Sequence, residues 1–428
     1  MHVGRGEVPH VALGNPGDHA LVHQLLLAIQ QNPTWERFSA WLEDPHYDPS
    51  DRILLRRGTQ IIGHVHITNR TIYWGGERIV SAGLHDLVAL PEYDEPAGTG
   101  ELLVAAEQRL SEEGVVLALM RTCRPEFYER LGWVALPRDG FSRAGAHDII
   151  AHVTGQPNAE RRERRFRVCI WRHVETEKLA ASYASVVSEM FGPVWRNERY
   201  WHWLVGRKDH DHILLAETSH SKSGRGRDRQ CVGYAVTRQD RVIELVVLPG
   251  YEAAAVSLLA RACREIVERG FHTVSVCLPA EHPLHEVLLT AGGQWCVAEN
   301  KPPGRLVCKI FQFDRYIERM CGMLQRRARE AALGIPCRVG FDVDGRWMNF
   351  ALTRRSARLD REGPAAPEVP RITCSMDMLQ RLLMGRLDIS AAVENGRLRC
   401  SGHAAQAIAA GLFTPLHAWQ SLWDAPCW

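Results

Sequence analysis

The 428-residue sequence has 12 cysteines but no C-x-x-C pair. Neighbours such as Cys308 and Cys321 lie too far apart for a zinc knuckle, so the thiols read as buried side chains in a reducing compartment. No apolar run reaches the roughly 18 residues of a transmembrane helix, and the opening MHVGRGEVPHVALGNPGDHA lacks the apolar core of a secretory leader. A cytoplasmic protein is expected. Charge of one sign is also missing: 52 basic and 50 acidic residues leave a net +2, which recommends neither nucleic acid nor a membrane surface as partner. There is no phosphate-binding P-loop, no Ser-His-Asp arrangement and no coherent basic patch. Asp209-His210-Asp211-His212 cannot all face one ion because they are consecutive; a charged turn is expected and no metal is called for.

What is present is a unit that occurs twice. Leu87–Pro91 (LVALP) runs into DEPAGTG, an apolar helix and the strand-like VVLALM. Farther on, VIELVVLP runs into GYEAAA, another apolar helix and TVSVCLP. The two Leu-Pro junctions lie about 158 residues apart. A duplicated α/β domain accounts for this, and only the first copy keeps its glycine-rich turn. Two or three domains suit the length. The expected units are 1–153, 154–312 and 313–428.

In the first unit, Gln24–Gln30 and Trp35–Leu42 carry helical spacing, and Arg52–Leu55, Gln60–Ile67 and Arg78–Ala82 read as strands, with Gly75-Gly76 turning a hairpin. Leu102, Leu103, Ala106 and Leu110 share a helical face. ERRERRFR at 160–167 reads as a solvated linker, and Ser219–Gln230 as a mobile polar excursion. In the third unit a long helix is expected over Phe313–Leu333, then strands at Cys337–Val343, Trp347–Thr353 and Glu368–Cys374, a helix over Ser375–Met384, a strand over Glu394–Cys400 and a helix over His403–Leu412, an α+β pattern.

The segment LVALP-EYDEPA-GTG-ELLVAAEQ places a strand end, a glycine turn and a helix start in succession. First-turn N–H groups have no partner inside the helix and the dipole adds positive charge there. Gly98 and Gly100 would let a ligand approach the backbone, so the turn can cradle a diphosphate or simply cap a helix. The order of strand, x-x-G-x-G, helix, strand and FYERLGW resembles the GCN5-related N-acetyltransferase (GNAT) family. The resemblance implies that Gly98, Thr99 and Gly100 hold the diphosphate of coenzyme A through backbone N–H groups. Leu87, Val88, Ala89 and Leu90 would pair with the pantetheine arm. Glu95 stands where the family has Gln or Arg, and Asp94 and Glu95 together bring negative charge close to an anion. Tyr128 matches the tyrosine that protonates the departing thiolate.

In the second copy, GYEAAA has alanines where a cradle needs glycine and no tyrosine follows Leu278-Pro279; His282 and His285 fall nearby and read as ordinary histidines. One intact and one degenerate copy followed by RVGFDVDGRWMNFALTRR, ITCSMDMLQRLLMGRLD and VENGRLRCSGHAAQAIAAGLF resemble the enhanced-intracellular-survival type of aminoglycoside and amine N-acetyltransferases. The fold implied is two tandem GNAT-like mixed-sheet domains and a sterol-carrier-protein-like α+β domain. The resemblance further implies acetyl-CoA as cosubstrate and a homo-oligomer, hexameric in that group. The C-terminal carboxylate, here on Trp428, would act as base or proton relay. Trp35 and Glu36 on an early helix, with Asp86, are candidates for the acceptor amine, although the Trp35, Phe38, Trp41 spacing equally makes a core stripe. His64 and His66, two apart on a strand, share one face and could serve as base or water anchor. The acceptor stays open among aminoglycoside, polyamine, lysine side chain and small amines, and a longer acyl donor is possible. A different class, a non-catalytic coenzyme A- or lipid-binding protein, remains the alternative.

Overall fold

A computed structural model describes residues 8–29, 33–93, 98–138, 140–172, 175–218, 229–297, 304–360 and 363–425. Strands β1 (His10–Leu13), β2 (Arg52–Arg57), β3 (Gln60–Trp74), β4 (Glu77–Ala89), β5 (Leu117–Thr122) and β6 (Val134–Ala135) come first. β7 (Gly140–Gly145), β8 (Phe166–Ile170), β9 (Phe191–Val194), β10 (His212–Thr218), β11 (Cys231–Arg238) and β12 (Arg241–Val247) follow, then β13 (Thr273–Val276), β14 (Gln294–Val297) and β15 (Arg305–Ile310). The last are β16 (Cys337–Val343), β17 (Arg346–Leu352), β18 (Ala357–Asp360), β19 (Arg371–Cys374) and β20 (Arg399–Cys400).

Among the described residues these form three mixed sheets. The first runs β1-β2-β3-β4-β5-β15-β6, with β9 beside β3. The second runs β14-β7-β13-β12-β11-β10-β8 and the third β18-β17-β16-β19-β20. The first two sheets exchange a strand. β15, from the late chain, lies between β5 and β6, while β7, from the early chain, lies between β13 and β14. The two copies of the repeat are therefore built into each other as well as joined end to end.

Helices α1 (His19–Ala28) and α2 (Trp35–Leu42) cover one part of the first sheet through Val22, Leu25, Leu26 and Phe38 against Leu54 and Ile61. Helix α3 (Gly98–Glu112) buries the face expected of it: Leu102, Leu103, Ala106 and Leu110 are at most 2% exposed. Gly75 and Gly76 turn the β3–β4 hairpin with φ of +63° and +98°, a region that glycine enters without cost. The third sheet shares one core with the first; Trp74 donates to the Tyr316 hydroxyl across that contact.

Several local expectations need correction. ERRERRFR is no linker: Ala159–Arg165 is helical, Phe166 opens β8, and Arg162 is 8% exposed, donating to the Val153 carbonyl. The expected helix 313–333 is two, Phe313–Arg319 and Cys321–Glu330, interrupted at Met320. Glu394–Cys400 is mostly not a strand. A helix spans Ile389–Glu394, capped by the Asp388 carboxylate on the Ala391 N–H, and stops at Gly396 (φ +73°); only Arg399–Cys400 pairs. The charged reading of 209–212 agrees with the structure: Asp209 and Asp211 are ion-paired, to Arg238 and Arg269, in the segment before β10.

Candidate active site

The site begins where two parallel strands part. β4 pairs with β5 from Ser81 opposite Leu117 to Leu84 opposite Met120, and there the ladder ends. β4 continues to Ala89 with β3 on its other side, and the Leu90 N–H still reaches the Ile62 carbonyl at 2.8 Å. Past Leu84 no described strand pairs with the open edge of β4; Val88 and Leu90 turn their peptide groups to β3, and by alternation that of Ala89 is turned to the open edge. A bulge lies in the same stretch: His66 faces His85 and His64 faces Val88, so two residues of β4 oppose one of β3. Asp86, in the bulge, sits at φ +51°, a conformation Asp tolerates better than most side chains.

β4 leads through a short turn, Pro91–Tyr93, toward α3, which opens at Gly98. The two glycines of this opening have different reasons to be glycine. A Cβ on Gly98 would lie 2.2 Å from the Tyr93 carbonyl oxygen, so the close packing of the turn on the helix requires it. A Cβ on Gly100 would meet nothing within 4 Å among the described residues, so on that side no described side chain crowds the first-turn backbone. Thr99 between them is buried. Arg57 donates to the Tyr93 hydroxyl and lies 5.8 Å from its ring, bringing a cation to the same end of the cleft. Asp94 and Glu95 lie outside the described residues.

Tyr128 is on α4 (Pro125–Glu129), which follows β5. It is 4% exposed and packs edge-on to Phe127 at 5.1 Å, in one cluster with Leu84, Leu102 and Met120. The residue thus belongs to the core surrounding the point where β4 and β5 separate.

On the other face of the first sheet lies a constellation the sequence showed only in part. Arg52 is 2% exposed and donates to His64 Nε2 at 2.9 Å and to the Tyr47 hydroxyl at 3.0 Å; that hydroxyl also meets His19 Nε2 at 2.8 Å. Because a guanidinium only donates, His64 Nε2 is the acceptor and the His64 proton is on Nδ1. His66 and His85 stand 6.2 Å apart, and the Thr68 hydroxyl lies 3.1 Å from His85. Burial, and secondarily Arg52, holds His64 and His66 well below the usual imidazole range; burial and then Arg70 push His85 down to about 3. Such groups are uncharged near neutrality and poor bases. His64 and His66 share a face as expected, but their environment suits a hydrogen-bonding floor better than a proton acceptor.

Aromatic side chains join this floor to the second unit. Trp41 packs edge-on to Trp203 at 5.1 Å, Trp203 Nε1 donates to the Ala40 carbonyl, and Arg207 lies over both indoles. Of the Trp35, Phe38, Trp41 stripe, Phe38 and Trp41 are core while Trp35 is 48% exposed, stacked near His23 and Phe38. Glu36 is exposed beside it in the first turn of α2. Trp35 and Glu36 are therefore together at a rim; Asp86 lies in the β4 bulge.

The C-terminal segment docks on the same junction. Trp423 is fully buried and packs against Trp201. Asp424 accepts from Arg196 Nε at 3.0 Å and Nη2 at 2.8 Å, and from the Tyr200 hydroxyl at 3.1 Å; Arg196 also binds Glu244 through two bonds. Burial raises the Asp424 carboxyl above its usual range, with Arg196 opposing the shift. Trp428 lies outside the described residues.

The second copy supplies a contrast. At the start of its helix Ala253–Glu268, the Glu252 carboxylate accepts the Gly250 N–H at 2.7 Å. Its own peptide N–H and that of Gly250 hold this carboxyl below the usual range. The first-turn N–H groups of Ala254 and Ala255 are taken by the Tyr251 and Glu252 carbonyls, and the Glu252 carboxylate adds a negative charge beside them. His285 is buried and satisfied by Ser142 and the Pro279 carbonyl.

Residues 20–135 match the family model described as the acetyltransferase (GNAT) domain. No curated protein matches the chain. Among solved structures, the fold is similar to a GCN5-related N-acetyltransferase from Kribbella flavida, with TM-score 0.70 and 15% identity, covering 97% of this chain and 98% of that one. It is similar to a GCN5-related N-acetyltransferase from Anabaena variabilis (0.69, 12%, 96% and 99%). It also resembles Eis1 from Mycobacterium abscessus (0.61, 14%, 96% and 99%). Residues 20–135 thus form a GNAT acetyltransferase domain within a larger mixed α/β fold, which supports acyl transfer in general terms. Among the described residues no helix is long and apolar enough to cross a membrane.

Proposed function

We propose that this protein is an acetyl-CoA-dependent N-acetyltransferase that moves the acetyl group directly to a primary amine. The observation that carries the reading is the parting of β4 from β5 after Leu84 and Met120, in the same unit where α3 opens at Gly100 with no described side chain against it. An open strand edge suits an amide-bearing pantetheine arm, and first-turn N–H groups suit a diphosphate. Gly98, Thr99 and Gly100 would hold the diphosphate, and Leu87 to Leu90 the arm and the thioester carbonyl.

In this scheme the amine nitrogen attacks the thioester carbon, the carbon–sulfur bond breaks, and the Tyr128 phenol gives its proton to the departing thiolate. By the same family resemblance the terminal carboxylate of Trp428 is assigned as proton acceptor or relay, acting through water or on an amine whose basicity the site lowers. Docking of Trp423 and Asp424 at the junction of the first two units supports this. Trp35, Glu36 and Asp86 are assigned to the acceptor side. A sterol-carrier-like third unit, a homo-oligomeric assembly and a cytoplasmic setting belong to the same reading.

The test is a panel of amines assayed for free-thiol release with acetyl-, propionyl- and longer thioesters. Tyr128→Phe should lower kcat by about 100-fold or more, and removal of Trp428 should lower activity with little change in coenzyme A affinity. A Tyr128→Phe enzyme equal to wild type across the pH range would refute the acid role. Acetyl-CoA affinity no better than millimolar would favour a non-catalytic binding protein.

A further inference from the structure

The degenerate second unit has lost the features that hold a diphosphate but has kept the cleft. β12 pairs with β13 in parallel only at Arg241–Ser275 and Val242–Val276, and then runs on to Val247 without it. This repeats the separation of β4 from β5. A cavity of about 270 Å³ occupies the opening. The far end of β12 lines it with Leu245 and Val247, the start of helix Ala253–Glu268 with Val256, and the segment after β13 with Leu284. Met190 and Trp419 complete the lining; Trp419 is held by its N–H on the Phe191 carbonyl at 2.8 Å.

Two polar groups reach the lining, Glu252 and His282. Glu252 places a carboxylate at the helix start, where the first unit leaves room for a ligand anion. His282 Nδ1 accepts the Leu284 N–H at 3.2 Å, so the ring proton is on Nε2. Burial, and then His285, lowers the His282 pKa to about 4, so near neutrality it is an uncharged donor. Glu252 is itself exposed, but no cation is among the lining residues, so an anion leaving water for the apolar walls would find no compensating charge.

We propose that this cavity is a binding site for an uncharged, largely apolar molecule carrying one hydroxyl or carbonyl, and not a second thioester site. Its volume lies just below the range of about 300–1,000 Å³ usual for small-molecule pockets, which fits a medium-chain alcohol or an ester of similar length. A hydroxyl is matched by the two lining groups, since it can donate to Glu252 and accept from His282. The apolar body is matched by valine, leucine and methionine side chains.

The probes are 1-octanol, octanoate and acetyl-CoA, followed in the full-length protein by methyl resonances. 1-Octanol should shift the methyls of Leu245, Val256 and Val287 saturably, octanoate should not at the same concentration, and acetyl-CoA should bind once per chain. Filling the cavity with Val256→Trp should weaken 1-octanol by about tenfold or more; Val287→Trp, from another wall, serves if the first variant does not fold. Absence of saturable shifts in the wild type would overturn the proposal. So would octanoate binding as tightly as the alcohol, or a folded filling variant that binds undiminished. None of these outcomes depends on acetyl transfer by the first unit.

Discussion

Acidification tests the histidine floor of the first sheet, and His85 gives the most explicit numbers. Its imidazole is pushed down to about 3 by burial and by Arg70, against 6.5 when free in the unfolded chain. Between those values the unfolded chain binds a proton that the folded protein refuses. The stabilisation from this group is therefore complete above about pH 6.5 and falls as the pH drops toward 3. Each pH unit below 6.5 costs about 1.4 kcal/mol, so at about pH 5 the loss approaches 2 kcal/mol; partial exposure of the ring lowers the expectation to about 1–2 kcal/mol. Replacement by Gln keeps a hydrogen-bonding side chain beside Thr68 and removes the titration. Urea unfolding at about pH 7.5 and about pH 5 should show the wild type losing about 1–2 kcal/mol more than His85→Gln between the two conditions. Equal losses, or a His85 ring resonance that titrates near its free value, would refute the reasoning.

Other substitutions probe single contacts. Gly100→Ala should raise stability by up to about 0.5 kcal/mol, since alanine is the better helix former and its Cβ meets no described atom, while weakening acetyl-CoA in a calorimetric titration; unchanged affinity would count against the cradle. Gly98→Ala should lower both stability and affinity, because its Cβ would strike the Tyr93 carbonyl oxygen. Arg196→Met leaves Glu244 and Asp424 buried without their cation and should cost about 3–5 kcal/mol in unfolding experiments; a loss below about 1 kcal/mol would show that these carboxyls find other partners.

The parts of the site that lie close together in the chain were legible from it. Glycine spacing after a strand, an apolar face at Leu102 to Leu110 and the hairpin at Gly75-Gly76 are local patterns, and local backbone rules govern them. The histidine floor was half legible: HVHI put His64 and His66 on one face, but His85 and Arg52 join them only through strand pairing. The Arg196–Glu244–Asp424 cluster draws on three distant segments, and no spacing rule could gather them. The short strand β20 was overestimated because Asn395-Gly396 ends a helix as readily as it begins a strand.

The traded strands bear on how the protein is made. The first sheet has β6, ending at Ala135, waiting beside an empty lane that β15 fills only after Arg305–Ile310 has been translated. At ribosomal speeds of about 5–20 residues per second, that interval is on the order of ten to thirty seconds. During it the nascent amino-terminal half displays the unpaired edges of β5 and β6 to solvent and chaperones. Gene fragments ending near residue 153 or beginning there would each inherit an orphan strand belonging to the other, so splitting the coding sequence at that point should yield two aggregating pieces that recover only when coexpressed.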